Sequence, residues 1–429
     1  MKRILQTSFI LLNIALAGTS QATTYSILPG DDLQIMIDNA VDGDIIKLNQ
    51  GVYSGNFVIN KSITLNCQPK AIIDGNHQKD TIRIKAKNVT IERCSIVNWG
   101  DNLTDMNAGL FVEKTAKHVR VKNNYFKGDT FGMWLDSTPN ATITDNKIEG
   151  NVSIRSQDRG NGIHLFNVTG ALVKNNEIWH TRDGIYIDTS NNNQLINNKL
   201  HHLRYGIHYM FSYSNRIDGN HTYNTRTGYA LMQSKYLTVT NNISENDSNY
   251  GILMNYIVHS SISGNQIINT KQPLGVDGKR ENYGAEGKGF FIYNAPFNNI
   301  NNNLITQSDI GIHLTAGSEG NKIYGNYFVK NRQQVKYVAN RKVEWSFKKQ
   351  GNFWSDYQGW DRDADGFGDE SFEPNDGIDK ILWKYPAANL LINSPAIQTL
   401  RWVQKEFPVL KSQGITDSYP KMKNNFLKK

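Results

Sequence analysis

Asp183-Gly184-Ile185-Tyr186-Ile187-Asp188 is answered by Asn198, Tyr205-Gly206-Ile207-His208-Tyr209-Met210 by Asn220, and Thr227-Gly228-Tyr229-Ala230-Leu231-Met232 by Asn242, one pattern repeated every 22 residues. The same Gly opens stretches at Gly109, Gly132, Gly162, Gly251, Gly289 and Gly311. The Asn recurs at Asn124, Asn146, Asn176, Asn265, Asn303 and Asn326, with longer steps where residues are inserted. A fixed period in this range marks a solenoid. Apolar residues alternate after each Gly, as in Ile163 and Leu165, Ile185 and Ile187, Ile207 and Tyr209, or Tyr229 and Leu231. Period two means strands with one face buried.

A second apolar group brackets each Asn, for example Leu172, Val173 and Ile178, or Leu195, Ile196 and Leu200. Short strands, tight polar turns and this period predict an all-β chain folded as a right-handed parallel β-helix, each coil adding ~4.8 Å. Asn at one place in every coil predicts an internal amide ladder. A leucine-rich-repeat horseshoe would need helical stretches, which the pattern lacks.

Stacked coils need caps. Residues 29–40 predict an amphipathic N-terminal capping helix, so the β-helix with its cap spans 23–340. The segment 271–288 breaks the rhythm and carries Gly275, Gly278 and Gly284. It predicts a loop leaving the scaffold, a common place for function. After residue 340 Trp345, Phe353, Trp354, Tyr357, Trp360 and Trp383 arrive together. Ser394-Pro395 then opens a helix with Ile397, Leu400, Val403 and Phe407 on one face, Ser capping and Pro in the first turn. Residues 341–429 therefore read as a C-terminal cap, an acidic loop, an amphipathic helix that packs or docks, and a basic tail.

Met1, Lys2 and Arg3, an apolar run from Ile4 to Ala17 and Ser20-Gln21-Ala22 form a secretory signal peptide over 1–22, cleaved after Ala22. No later stretch approaches the ~20 apolar residues that span a bilayer. The expected product is periplasmic and has no transmembrane segment. Cys67 and Cys94 lie about one coil apart; export permits a disulfide, and two stacked buried thiols fit as well. The formal charge of +8 is modest for 429 residues, and Lys421, Lys423, Lys428 and Lys429 crowd the end. No nucleic-acid motif accompanies that tail, which reads as solvated or as a contact to a membrane or partner.

Three constellations bear on chemistry. Asp361, Asp363, Asp365, Gly366 and Asp369 follow the first half of a calcium loop, although Phe372 stands where an EF-hand places its bidentate Glu; an acidic turn is the alternative. Met210, Met232 and Met254 recur one per coil, and His208 precedes Met210 by two, in the place that His164, Tyr186 and His313 take in their own coils. If the first and third residues after Gly face inward, His208, Met210 and Met232 face outward, and the longer coil before Met254 turns that residue inward. Imidazole and thioether together favour Cu(I), while methionine also serves as core filling. Arg182, Arg204 and Arg226 form a 22-residue column near Asp183 and Asp188. That column suits an acidic polysaccharide to be bound, or cut or epimerised as many β-helices do.

Asn352-Phe353-Trp354-Ser355-Asp356-Tyr357, the Asp361–Asp369 run, Leu390, Leu391, Ser394-Pro395-Ala396, Leu400 and Phe407-Pro408 resemble the NosD family of periplasmic nitrous oxide reductase maturation proteins. The repeats also look like that family's carbohydrate-binding and sugar-hydrolase type coils. The resemblance implies a non-enzymatic role beside an ABC transporter (the ATPase NosF and the membrane subunit NosY), the copper chaperone NosL and nitrous oxide reductase, whose copper–sulfur centre is to be loaded. It implies that the helix from Ser394 to Phe407 docks on the membrane subunit. It supplies no copper ligands by position, so His208, Met210, Met232 and Met254 remain an expectation from spacing.

Overall fold

The computed structural model describes residues 22–426 apart from 274–285, 316, 339–340, 386–387, 389–390, 392–393 and 408–413. The signal-peptide segment up to residue 21 and most of the 271–288 insertion lie outside the described residues. Three parallel sheets of 12, 13 and 13 strands wrap one core as a right-handed β-helix of about 14 coils. One coil shows the rule. Asp183–Asp188 belongs to the 12-stranded first sheet, Gln194–Ile196 to the second and Lys199–His201 to the third. Each pairs in parallel with its equivalent in the next coil: Ile185 with Ile207, Leu195 with Ile217, Leu200 with Thr222.

The alternation dictates the packing. Ile185, Ile187, Leu195 and Leu200 are fully buried, each such side chain contributing roughly 1.5–3 kcal/mol, while Tyr186 and Asp188 face out. The predicted ladder is present. Nδ2 of Asn124, Asn146, Asn176, Asn198, Asn220, Asn242, Asn265, Asn303 and Asn326 donates to Oδ1 of the next Asn at 2.9–3.0 Å. The residue before each rung often sits in the left-handed region, as Asn197 does at φ 53° and Asn241 at φ 56°, which suits Asn and explains the Asn-Asn doublets. The repeated Gly has a different cause. A Cβ on Gly206 would lie 2.6 Å from the Gly228 carbonyl and 2.4 Å from Thr222 Cγ2, so neighbouring coils approach too closely for a side chain.

The N-terminal helix forms over Leu33–Asn39 with Asp32 accepting from Ile35 N. Cys67 and Cys94 are joined as a disulfide, and the Cys94 amide donates to Asn124 Oδ1 at 2.9 Å, so the cross-link sits at the foot of the ladder. The coils run past residue 340: Phe353–Trp354 is the last strand of the third sheet, and Asn352 is one more rung. Asp417 Oδ2 then accepts from Asn352 N and Trp354 Nε1 at 2.7 and 2.8 Å and closes the ladder. The tail is therefore not a solvated appendage up to Phe426, since Lys421 N bonds Asn352 O and Met422 N bonds Gly366 O. Helix Pro395–Glu406 forms with Ser394 as cap. Arg401 ties it to Asp376 and Asp379, while Leu400, Trp402 and Phe407 stay exposed.

Candidate functional site

The second residue after each Gly forms one outward column on the first sheet. Register runs Arg83, Phe111, Trp134, His164, Tyr186, His208, Ala230, Leu253, Phe291, His313 and Lys336. Facing away from the core would expose these side chains, yet Trp134, His164 and His208 are all buried. The segments around Leu103–Met106 and Arg159–Asn161 pack beside them and line, with them, a half-open cavity of about 270 Å³. Arg159 holds one of these covers in place, with Nε on Ile154 O at 2.8 Å and Nη1 on His180 O at 2.7 Å.

Asp183, His208 and Arg204 form the centre of this cavity. Asp183 is 1% exposed and accepts from Arg204 Nε at 2.8 Å and Nη2 at 2.6 Å, and from His208 Nδ1 at 3.0 Å. Burial alone would push its carboxyl up; the bonds from His208 and Arg204 outweigh burial and hold it below the usual aspartate value. With Asp183 ionised, Nδ1 of His208 is the donor of that bond, and its Nε2 is buried without a protein partner. A carboxylate behind an imidazole is the arrangement that orients metal-ligating histidines. His164 is pushed down to about 3 chiefly by burial, so its ring is neutral at any working pH, and its Nε2 is also unpartnered. Tyr186 separates the two rings, at 4.7 Å from His164 and 4.4 Å from His208. The imidazoles are two coils apart, about 9.6 Å along the stack, and form two stations rather than one chelate.

The expected ligand set divides. His208 lines the cavity, whereas Met210 and Met232 lie outside its lining, at the far ends of strands Tyr205–Met210 and Thr227–Met232. Met254 is fully buried and pairs in register with Leu231, so it faces the core, away from the other three. The thioether that does line the cavity is Met106. Neither Met106 nor Arg159 follows from the repeat. The readable signal was the 30-residue step from Gly132 to Gly162, which makes room for the Arg159 cover.

Asp361, Asp363 and Asp365 place carboxylate oxygens within 4.8 Å of one another. They also serve the loop itself, Gly366 N donating to Asp361 and Phe367 N to Asp365. Asp369 stands apart and accepts from Arg362 N at 2.6 Å. In the arginine column Arg204 is committed to Asp183, Arg182 lines the cavity and Arg226 is exposed, so the three do not form one stripe.

The family model described as "Periplasmic copper-binding protein (NosD)" matches residues 145–359. A Pseudomonas aeruginosa relative is 52% identical over 413 residues, covering 96% of this chain and 95% of its own. The chain belongs to the NosD family. A second relative, from Stutzerimonas stutzeri, is 53% identical over 377 residues, 88% of this chain and 86% of its own. Both NosD relatives are named "Probable ABC transporter binding protein NosD". Among solved structures the fold is similar to a Yersinia enterocolitica family 28 exopolygalacturonase (TM-score 0.54, 13% identity, 75% of this chain and 79% of that one). It is also similar to the A-module of the Azotobacter vinelandii mannuronan C-5 epimerase AlgE6 (TM-score 0.52, 14% identity, 76% and 94%). At these identities the likeness concerns the β-helix alone. Among the described residues of this NosD chain no helix is long and apolar enough to cross a membrane.

Proposed function

We propose that this NosD-family chain is a non-enzymatic periplasmic accessory protein that accepts copper as Cu(I) and relays it towards nitrous oxide reductase as the partner of an ABC transporter. The family description and the names of the two relatives support the copper and transporter parts. The observation that carries the reading is His208: its Nδ1 is fixed on Asp183, its buried Nε2 has no protein partner, and it lines a cavity together with His164 and Met106. Neutral imidazole and thioether are donors that Cu(I) takes in small numbers, so an ion is held and can be passed on. Met210 and Met232 sit on the same outward face two residues beyond His208 and one coil on, a second soft position for an incoming copper-bearing partner such as NosL. The exposed Leu400 and Trp402 of helix Pro395–Glu406, with Phe407 at its C-cap, offer the face for the membrane subunit.

The test is an anaerobic Cu(I) titration against a chromophoric competitor with the parent, His208→Gln, and a Met210→Leu, Met232→Leu double variant. Loss of the tight equivalent in His208→Gln places the ion in the cavity. Loss in the double variant alone moves the site to the methionines. No competition by the parent sinks direct copper binding and leaves a scaffold for copper-carrying partners.

A further inference from the structure

The coils beside the cavity repeat an arginine, but only one of them supplies its acid. Arg204 sets its fork on Asp183 of the coil before, Nε at 2.8 Å and Nη2 at 2.6 Å. One coil back, Arg182 takes the place of Arg204: Arg204 N donates to Arg182 O, and Arg182 N in turn to Gly160 O, both at 2.8 Å. The place of Asp183 is then taken by Asn161, because Ile163 pairs in register with Ile185. A neutral amide therefore stands where the next coil has a carboxylate. Both sides are left without a partner. Arg182 Nε and Asn161 Oδ1 are each buried and unbonded, and among the described residues no ion pair reaches Arg182. A stranded buried donor bears its full desolvation penalty, larger still for a charged group, and a guanidinium cannot shed its proton to escape it.

The lining as a whole has the same imbalance. Arg159, Arg182 and Arg204 stand against one carboxylate, Asp183. Arg204 is committed to that carboxylate, and Arg159 is bonded to the carbonyls of Val152, Ile154 and His180, which leave its charge uncompensated. A guanidinium whose Nε edge is unused is the group that takes a planar carboxylate through two parallel bonds. The register supplies a further donor. His208 donates to Asp183 from the next coil, and one coil back its partner in register is Tyr186. A carboxylate beside Arg182 would thus meet the Tyr186 hydroxyl as Asp183 meets His208. Burial, with Asp188 and Asp183, pushes that hydroxyl up to about 12, so it keeps its proton and donates. A half-turn of the Asn161 amide would bring Nδ2 to the same anion, and Oδ1 would replace it in the present 3.2 Å contact with His164 Nδ1. Beyond these polar groups the walls are the rings of Phe131 and Trp134 and the side chains of Leu103 and Met106. Apolar walls with a few convergent polar groups are the make-up of a small-molecule site.

We propose that the cavity binds a small organic carboxylate, its acid group on Arg182 in the place of the missing aspartate and its apolar part against Met106, Phe131 and Trp134. No metal takes part in this binding, so it stands or falls apart from the copper reading.

The experiment is calorimetric titration of the metal-free protein with sodium benzoate and with sodium acetate. The parent is compared with Arg182→Gln and Asn161→Asp, each checked for native circular dichroism. Arg182 Nε has no bond to lose, and Asn161→Asp supplies the pair that the next coil already contains, so both variants keep the fold. The parent is expected to take up benzoate, and acetate more weakly for want of contact with the aromatic walls. Arg182→Gln should weaken benzoate by about tenfold or more, the worth of a hydrogen bond to a charged group. Asn161→Asp fills the place from within the chain and should abolish binding. A parent that binds neither acid overturns the proposal. Unchanged benzoate affinity in either variant also overturns it, because the acid group would then lie away from Arg182.

Discussion

Replacing Asp183 by Asn tests whether the cavity is built around a braced metal ligand. The swap keeps the volume and removes the charge that accepts two hydrogen bonds from Arg204 and one from His208. Breaking a buried ion pair from one side costs about 3–5 kcal/mol. Arg204 keeps 23% of its side chain exposed, so water compensates part of that loss, and a fall of about 2–4 kcal/mol in unfolding free energy is expected. The copper effect is separate. Without an ionised acceptor the proton is no longer fixed on Nδ1, and loss of such a brace lowers metal affinity about 10–100-fold. The assays are urea unfolding followed by circular dichroism, and the Cu(I) competition titration at a urea-free temperature where both proteins are folded. A variant that loses stability but binds Cu(I) within twofold of the parent would refute the reasoning, because Asp183 would then anchor Arg204 and do nothing for His208.

Asn220→Ala removes the acceptor of Asn198 N and Nδ2 and the donor to Leu195 O and Asn242 Oδ1. With each stranded buried group costing ~1–3 kcal/mol, a loss of about 4 kcal/mol in denaturant unfolding is expected, and one below ~1 kcal/mol would show a dispensable rung. Asp247 is fully buried among Thr222, Thr225 and Ser244, and burial pushes its carboxyl up to about 6. A raised folded-state value favours the protonated form, so its contribution is complete below the unfolded value near 4 and is lost as pH climbs through about 6. Unfolding midpoints at pH 4.5 and 7 should therefore differ less in Asp247→Asn than in the parent; an equal difference would remove Asp247 as the cause. Leu400→Ser with Trp402→Ser changes only exposed side chains, so stability should shift by less than about 0.5 kcal/mol while co-purification with the transporter's membrane subunit is lost. Retention of that complex would assign docking elsewhere.

The repeat determined the architecture because a β-helix is nearly one-dimensional: each coil meets only its neighbours. Residues 22 apart are therefore residues in contact, and the Asn124–Asn352 ladder, the inward Ile185 and Ile187 and the outward His208 all follow from counting. The 23-residue coil before Met254 turns that residue into the core, so it leaves the expected ligand set while His208 faces outward. What leaves the repeat obeys no period. The covers carrying Met106 and Arg159 turn part of an outward column into a half-open cavity. The left-handed step at His202 cancels the alternation that would have parted it from His201. The Asp417 carboxylate reaches back 65 residues to end the ladder. Those placements depend on where a loop or a tail packs in three dimensions, a balance of burial and hydrogen bonding that spacing along the chain does not encode.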